Sequence, residues 1–329
     1  MSAEHLEQKS RMQLALLSIV AGTGLLGLKF LSYKMSGSVA LKSDAIESIV
    51  NVVAAIFALG AVIFAGKPAD KEHPYGHGKI EHFSAAFEGG LISLASVFIL
   101  LEAAKGLIYG VELKDIGKGL AVNLLAGALN GLLGWYMLQQ ARKTRSKALE
   151  ADGHHILSDF WTTVGIGAGL IAVKVTGIHW LDPLMAGIVG LLLARTGFRL
   201  VKESSQALLD MEDPDMLEKA LASMNTVRTW DIIALHELRT FRSGRYTHVD
   251  VHIVVPEYYP VRQAHDLCED FGKKALADGP IEGEVHTHVD PCCRLYCDRC
   301  PAECCLIRRV PMTASPTFIL EEATAEGPA

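Results

Sequence analysis

No cysteine precedes Cys268, and six of the seven lie between Cys292 and Cys305. Thiols clustered this tightly argue for metal binding before disulfides wherever the compartment is reducing. Charge is scarce inside several long stretches. The charged residues, 21% of the chain, fall mostly outside apolar runs that make it 50% hydrophobic, and the mean hydropathy is positive. That pattern excludes an ordinary soluble enzyme and describes an integral membrane protein with a soluble portion. A basic stripe is also missing, and the net charge is −6, so no nucleic acid partner is expected. There is no HExxH or other hydrolytic motif, which weighs against a membrane hydrolase using a bound metal. The N-terminus is polar, and no small-residue cleavage site follows the first apolar run. The first segment therefore reads as an uncleaved anchor.

Six apolar segments can be drawn, over 12–33, 39–65, 81–109, 117–140, 149–175 and 180–201. Helices of that length can cross a hydrocarbon core of about 30 Å. Lys9 and Arg11 precede the first segment. Lys67, Lys71 and Lys79 follow the second, and Arg142, Lys143, Arg145 and Lys147 follow the fourth. The opposite loops carry only Lys34, Lys114 and Lys118. The bias puts both termini in the cytoplasm.

The second segment opens with a polar run in which Asp44, Glu47 and Asn51 stand at i, i+3 and i+7. On a helix they share one face. Asp152, His155 and Asp159 repeat the spacing at the head of the fifth segment. A carboxylate inside a membrane helix costs about 2.5–3.5 kcal/mol on insertion scales, so intramembrane ionisable residues are site residues by default. Facing one another, Glu47, Asn51, His155 and Asp159 would offer four oxygen and nitrogen ligands to one divalent cation. A single Asn or His could merely hydrogen-bond within the bundle; two matching triplets are harder to dismiss. Glu88, deep in the third segment, is expected to face the bundle. Asp44 and Asp152 flank the quartet. They either stage the cation and its counter-protons or neutralise Lys42 and the basic loop, respectively.

The loop from Asp70 to Lys79 holds Asp70, His73 and His77, enough for a second cation or for a capped, solvated loop with incidental histidines. Beyond Leu209 the pattern changes. Asp213 and Pro214 open an amphipathic helix to residue 224, strands are expected over 232–239 and 246–255, a helix over 261–277 and a third strand over 284–290. Alternation puts His248, Asp250 and His252 on one face of the second strand, and His286, His288 and Asp290 on one face of the third. His236 lies on the first strand and His265 on the second helix. A sheet surface so rich in imidazole suits divalent metal, although it would also serve a subunit interface. Cys297 and Cys300 have ligand-like spacing within the cysteine run, which fits Zn²⁺ or Cu(I). Cys268 stands alone and reads as core. Residues 311–329 have the composition of a disordered end.

Taken together, these motifs resemble those of the cation diffusion facilitators, dimeric transporters that export divalent metals in exchange for protons. The resemblance covers residues 12–292. It rests on the polar run of the second segment, the Tyr75-Gly76-His77-Gly78-Lys79 loop, the His155 and Asp159 pair, His236-Glu237-Leu238-Arg239-Thr240 and His288-Val289-Asp290-Pro291. It implies a transport site at Glu47, Asn51, His155 and Asp159, a loop site at Asp70, His73 and His77, and cytoplasmic sites drawn from His236, His252, His265, His288 and Asp290. The family often carries Asp-x3-Asp where this chain has Glu47 and Asn51, a change that bears on metal preference. The cysteine tail lies beyond the common core.

The expected fold is an all-α bundle of six transmembrane helices over 1–210, a cytoplasmic α+β domain (αββαβ, metallochaperone-like) over 211–292, and a cysteine-rich segment with a disordered tail over 293–329. The expected function is divalent cation efflux by proton antiport, with no catalysis. Zn²⁺ comes first and Fe²⁺, Co²⁺ and Mn²⁺ follow as transported and regulatory metals. No other cofactor is expected. The partners are metal ions, protons, the lipid bilayer and a second copy of the chain, and the location is an inner or plasma membrane. The alternative function is a metal-responsive membrane scaffold or sensor without net transport.

Overall fold

A computed structural model describes residues 3–327 apart from 112, 145–146, 245, 278–280, 303–304, 306 and 314–316. Arg145 and Cys304, the latter one of the six clustered cysteines, lie outside the described residues. The chain divides into two units, Met1–Leu209 and Asp210–Ala329.

The first unit is six helices, α1 (Ala3–Ser36), α2 (Val39–Ala65), α3 (Ile80–Tyr109), α4 (Ile116–Thr144), α5 (Lys147–Thr176) and α6 (Leu181–Leu208). All six contain stretches long and apolar enough to cross a membrane. Their outward faces keep large apolar side chains exposed, such as Leu94, Phe98 and Leu101 on α3 and Leu191 and Leu192 on α6. In water such faces would drive aggregation; in lipid they are the solvated surface. The inward faces carry small residues. Gly89 of α3 and Gly197 of α6 are the clearest case. A Cβ on Gly197 would lie 2.8 Å from the Gly89 carbonyl oxygen, and one on Gly89 would lie 2.9 Å from that of Gly197. Only glycine lets these two backbones approach so closely, the small-residue packing of membrane helices.

A buried carboxylate fixes where α2 begins. Gly37, with φ 69°, turns the chain out of α1. The Ser38 hydroxyl then accepts from the Leu41 amide (3.1 Å) and donates to Asp182 of α6 (2.5 Å). Asp182 also accepts from the Val39 amide at 2.7 Å. Its negative charge thus satisfies otherwise orphaned N–H groups at the positive end of α2. The register of α2 sets the position of every polar residue on it.

The second unit contains α7 (Pro214–Thr226), β1 (Ala234–Ser243), β2 (Tyr246–Val255), α8 (Val261–Ala277), β3 (Gly283–Pro291) and α9 (Leu320–Ala323). Asp213 caps α7 as expected, accepting from the Met216 amide. The sheet order is β1-β2-β3, with β1 antiparallel and β3 parallel to β2. Val249, Val251 and Ile253 point into a core closed by α7 and α8, where Cys268 is fully buried. The opposite face carries the histidines. β1 runs further than the sequence suggests because a bulge between His236 and Arg239 absorbs a register shift and lets pairing continue to Ser243.

The expectation of disorder from residue 311 onward fails for the described part of the tail. Phe318 is buried in the core of the second unit, and the Asn225 amide donates to and accepts from its backbone at 3.0 Å each way. Arg228 lies over the Phe318 ring at 4.3 Å. The Glu237 amide donates to the Ala325 carbonyl at 2.9 Å. One aromatic anchor in a Pro-, Thr- and Glu-rich window is too weak a compositional signal to register, yet a buried ring outweighs the ordering cost of a few residues. Residues 293–302 likewise pack on the end of the sheet through Tyr296 and Ala302, so they are not a free appendage. Phe318→Ala should therefore cost about 3 kcal/mol. Thermal unfolding and limited proteolysis of the full chain in detergent check it, and wild-type behaviour would mean that the tail is dispensable to the core.

Candidate metal centres

Among the described residues, four groups of His, Asp and Glu each bring three ligand atoms within 4.8 Å of one another. The most buried is Glu47, His155 and Asp159. It forms because α2 and α5 present their polar faces to each other. Asn51 joins it: its carboxamide oxygen meets His155 Nε2, and its Nδ2 donates to Asp159 Oδ2. His155 Nε2 lies 3.9 Å from Asp159 Oδ1. Both Glu47 carboxylate oxygens and Asp159 Oδ1 are buried with no hydrogen-bond partner. Unpaired buried oxygens of this kind are costly, and oxygens aimed with an imidazole at one point are a donor set for a divalent cation.

A charged residue not among the expected site residues is Lys29. It is fully buried on α1, its Nζ 2.8 Å from Asp44 Oδ1 and 3.6 Å from Asp159 Oδ2. Its signal was available: it is a charged residue in the interior of an apolar stretch. Asp44 therefore does not pair with Lys42, which instead reaches Glu102 at 2.5 Å. Asp152 is buried as well. With Asn51, Asp159, Ser18 and Asn130 it lines a cavity of about 20 Å³ beside the quartet, which is not the setting of a charge held at the membrane surface to balance the basic loop. Glu88 is buried, as expected.

The loop group is Asp70, His73 and His77. Asp70 Oδ1 accepts from the amides of His73 (2.7 Å) and Glu72 (2.9 Å), and these bonds, the His73 amide foremost, hold its carboxyl below the usual range. Its other oxygen lies 3.4 Å from His77 Nε2. Gly76, with φ 79°, makes the turn that folds His77 back, and the edge of Phe64 packs on the His77 ring.

On the sheet, Asp290 is the hub. Its Oδ2 lies 3.1 Å from His236 Nε2 and 2.9 Å from His252 Nδ1, and its Oδ1 lies 3.5 Å from His288 Nε2. The register explains this, because His236 sits opposite His252, which sits opposite His288. Four of the five expected cytoplasmic residues thus converge. His265 does not join them: it is exposed on α8, 3.8 Å from Glu269. The fourth group, His248, Glu284 and His286, was not foreseen as a unit. Glu284 Oε1 lies 2.8 Å from His248 Nδ1 and 3.1 Å from His286 Nε2. Burial alone would raise the Glu284 carboxyl, but its hydrogen bonds with the two imidazoles bring it below the usual range. A cleft of about 310 Å³ lined by Glu237, His252, His286 and His288 joins the two groups on one face.

Six apolar helices with a buried acidic, imidazole-bearing cluster, followed by a histidine-faced sheet, make this a multi-pass membrane protein of the kind that handles metal cations. The sequence profile described as "Cation efflux transmembrane domain" matches residues 15–209, and that of "Cation efflux protein, cytoplasmic domain" matches residues 210–292. An uncharacterized transporter of Synechocystis, sll1263, is 37% identical over 84% of this chain and 89% of its own length. Proteins named cation-efflux pump FieF are similar too. That of Serratia proteamaculans is 32% identical, and that of Salmonella paratyphi A 30%, each over 84% of this chain and 92% of the relative. The chain belongs to the cation efflux, or cation diffusion facilitator, family of transporters.

The buried lysine yields a test. Removing one partner of a buried ion pair costs about 3–5 kcal/mol, whereas replacing both by apolar groups is near neutral. Lys29→Met should lower the thermal stability of the detergent-solubilised protein, and Lys29→Met with Asp44→Leu should recover most of the loss. Additive losses in the double variant would rule out the pair.

Proposed function

We propose that this chain exports divalent cations in exchange for protons, with Glu47, Asn51, His155 and Asp159 as the transport site. The observation that carries the reading is the buried convergence of unpartnered Glu47 and Asp159 oxygens on the His155 imidazole. Histidine is the side chain whose charge changes near neutrality, so it suits exchange of a proton for a cation. Lys29 and Asp44 offset each other. Glu47 and Asp159 then contribute a formal charge of −2, which one divalent cation or two protons would cancel. The mixed oxygen and nitrogen donors suit Zn²⁺ first, then Fe²⁺, Co²⁺ and Mn²⁺. The Asp70 loop and the Asp290 hub are read as further metal positions, the latter regulatory. The second unit is read as the cytoplasmic dimerisation domain of a homodimer, with both termini in the cytoplasm and the chain in an inner or plasma membrane. The name of the FieF relatives supports efflux, and the alternation of the site between the two sides supplies the mechanism.

Metal flux into sealed proteoliposomes under an imposed pH difference tests this. Alanine at His155 or at Asp159 should reduce Zn²⁺ flux to the level of empty vesicles while the protein stays folded. Wild-type flux in both variants would remove the quartet as the pathway. No flux in the wild type with any of the four metals would favour a sensor. Asn51→Asp adds a negative ligand and should reorder preference among the four metals in competition assays; an unchanged order places Asn51 outside the coordination shell.

A further inference from the structure

The cysteine run folds into a site of its own. Cys292 directly follows β3, and its amide still donates to the Val255 carbonyl at 2.8 Å. A single 3₁₀ turn, Arg294–Tyr296, then swings Cys297 and Cys300 back over the end of the sheet. The chain returns through Cys305, and Arg308 closes the loop by donating to the carbonyls of Cys300 (2.6 Å) and Ala302 (2.7 Å). Cys292, Cys297 and Cys300 are each more than nine-tenths buried, Cys305 is half-buried and Cys293 is exposed. All five line one cavity of about 290 Å³, together with Arg294, Arg308 and Arg309. None of the five is in a disulfide.

A cysteine in a core usually packs as a small hydrophobe, as Cys268 does here. The cavity differs from that case. Cys292 and Cys300 pack in part on Ile233, Ala234 and Val254, yet with Cys293, Cys297 and Cys305 they line one shared cavity that Arg294, Arg308 and Arg309 also line. No three of these sulfurs lie within 4.8 Å of one another, so a bound ion would draw them together by side-chain rotation. Arginine at the rim of a thiol cluster is the complement of thiolate, not of thiol. Among common metals, Zn²⁺ takes four thiolates tetrahedrally, and a two-residue gap like that between Cys297 and Cys300 recurs in such sites. Four thiolates around Zn²⁺ leave a charge of −2, which the arginines offset. The family profile for the cytoplasmic domain ends at residue 292, so all but the first of these cysteines lie outside it.

We propose that Cys292, Cys297, Cys300 and Cys305 hold a closed, structural Zn²⁺ ion that fastens the C-terminal segment to the end of the sheet. The site lies outside the intramembrane quartet and the histidine groups. Its ligands are soft, and a closed thiolate shell retains the metal, which is the opposite of what a transport site requires.

Cobalt distinguishes this site from all the others, because only thiolate ligation gives a near-ultraviolet sulfur-to-cobalt charge-transfer band. The full chain, purified reduced and anaerobic, would be titrated with Co²⁺ and then with Zn²⁺. The expected result is a thiolate band that saturates at one Co²⁺ per chain and is abolished by one equivalent of Zn²⁺. Cys297→Ser with Cys300→Ser should lose the band and one tightly held Zn²⁺ per chain, while Cys268→Ser and His155→Ala keep both. Absence of the band in the reduced wild-type protein would overturn the proposal, without any variant having to fold. Persistence of the band in the double serine variant would overturn it too, as would a Cys297–Cys300 disulfide found by mass spectrometry in the freshly purified protein.

Discussion

The contact on which the transmembrane unit turns is the one Lys29 makes with Asp44 and Asp159. Three helices meet there: α1 brings the ammonium, and α2 and α5 bring the carboxylates. Without a fixed cation, Asp44, Glu47 and Asp159 would be three carboxylates packed together inside apolar spans, each of them costly to bury. With it, α1 is tied electrostatically to the two helices that carry the site. Asp182 does comparable work at the N-terminus of α2, since it fixes the start of that helix and hence the face on which Glu47 and Asn51 emerge. The site is therefore positioned in large part by Lys29, Asp44 and Asp182, charges that are not themselves the expected ligands.

The two soluble histidine groups obey a different logic. They lie on one open face of a three-stranded sheet whose other face is committed to the core. Each is built on a carboxylate that bridges imidazoles: Asp290 for one, Glu284 for the other. Bridging of this kind orients imidazoles, the role that outer carboxylates play at metal centres. Here the carboxylates stand among the donors themselves, so the same atoms that align the rings in the free protein are available as ligands.

Much of this was legible in the sequence because two periodicities are strict. Charge is so costly in a membrane helix that Glu47, His155 and Asp159 announced themselves, and strand alternation separated His248 and His252 from Val249 and Val251. Other features were hidden for identifiable reasons. Lys29 has no charged neighbour at helical spacing on its own helix; its ionic partners are on α2 and α5 and become neighbours only through packing. The Glu284 group depends on β3 pairing parallel to β2, and alternation within a strand does not say which strand lies beside it. His265 was grouped with the other histidines by type, but its helix turns it away from the hub. Phe318 was hidden by a disorder-like composition that a single buried ring overrides.

The charge pattern also gives a reason for Asn51. The family pattern that this chain resembles often has an aspartate at that position. Here Lys29 is spent on Asp44, a residue that lies one turn before Glu47. A lysine is covalently held and cannot leave with the cargo, so it offsets one carboxylate permanently. An aspartate at 51 would leave three uncompensated negative charges in the quartet, one more than a divalent ion cancels. The amide keeps the position polar, contacts both His155 and Asp159, and adds no charge. Asn51 is thus the neutral member that lets two carboxylates and one imidazole stay aligned, and the balance it preserves is the one a divalent cation would complete.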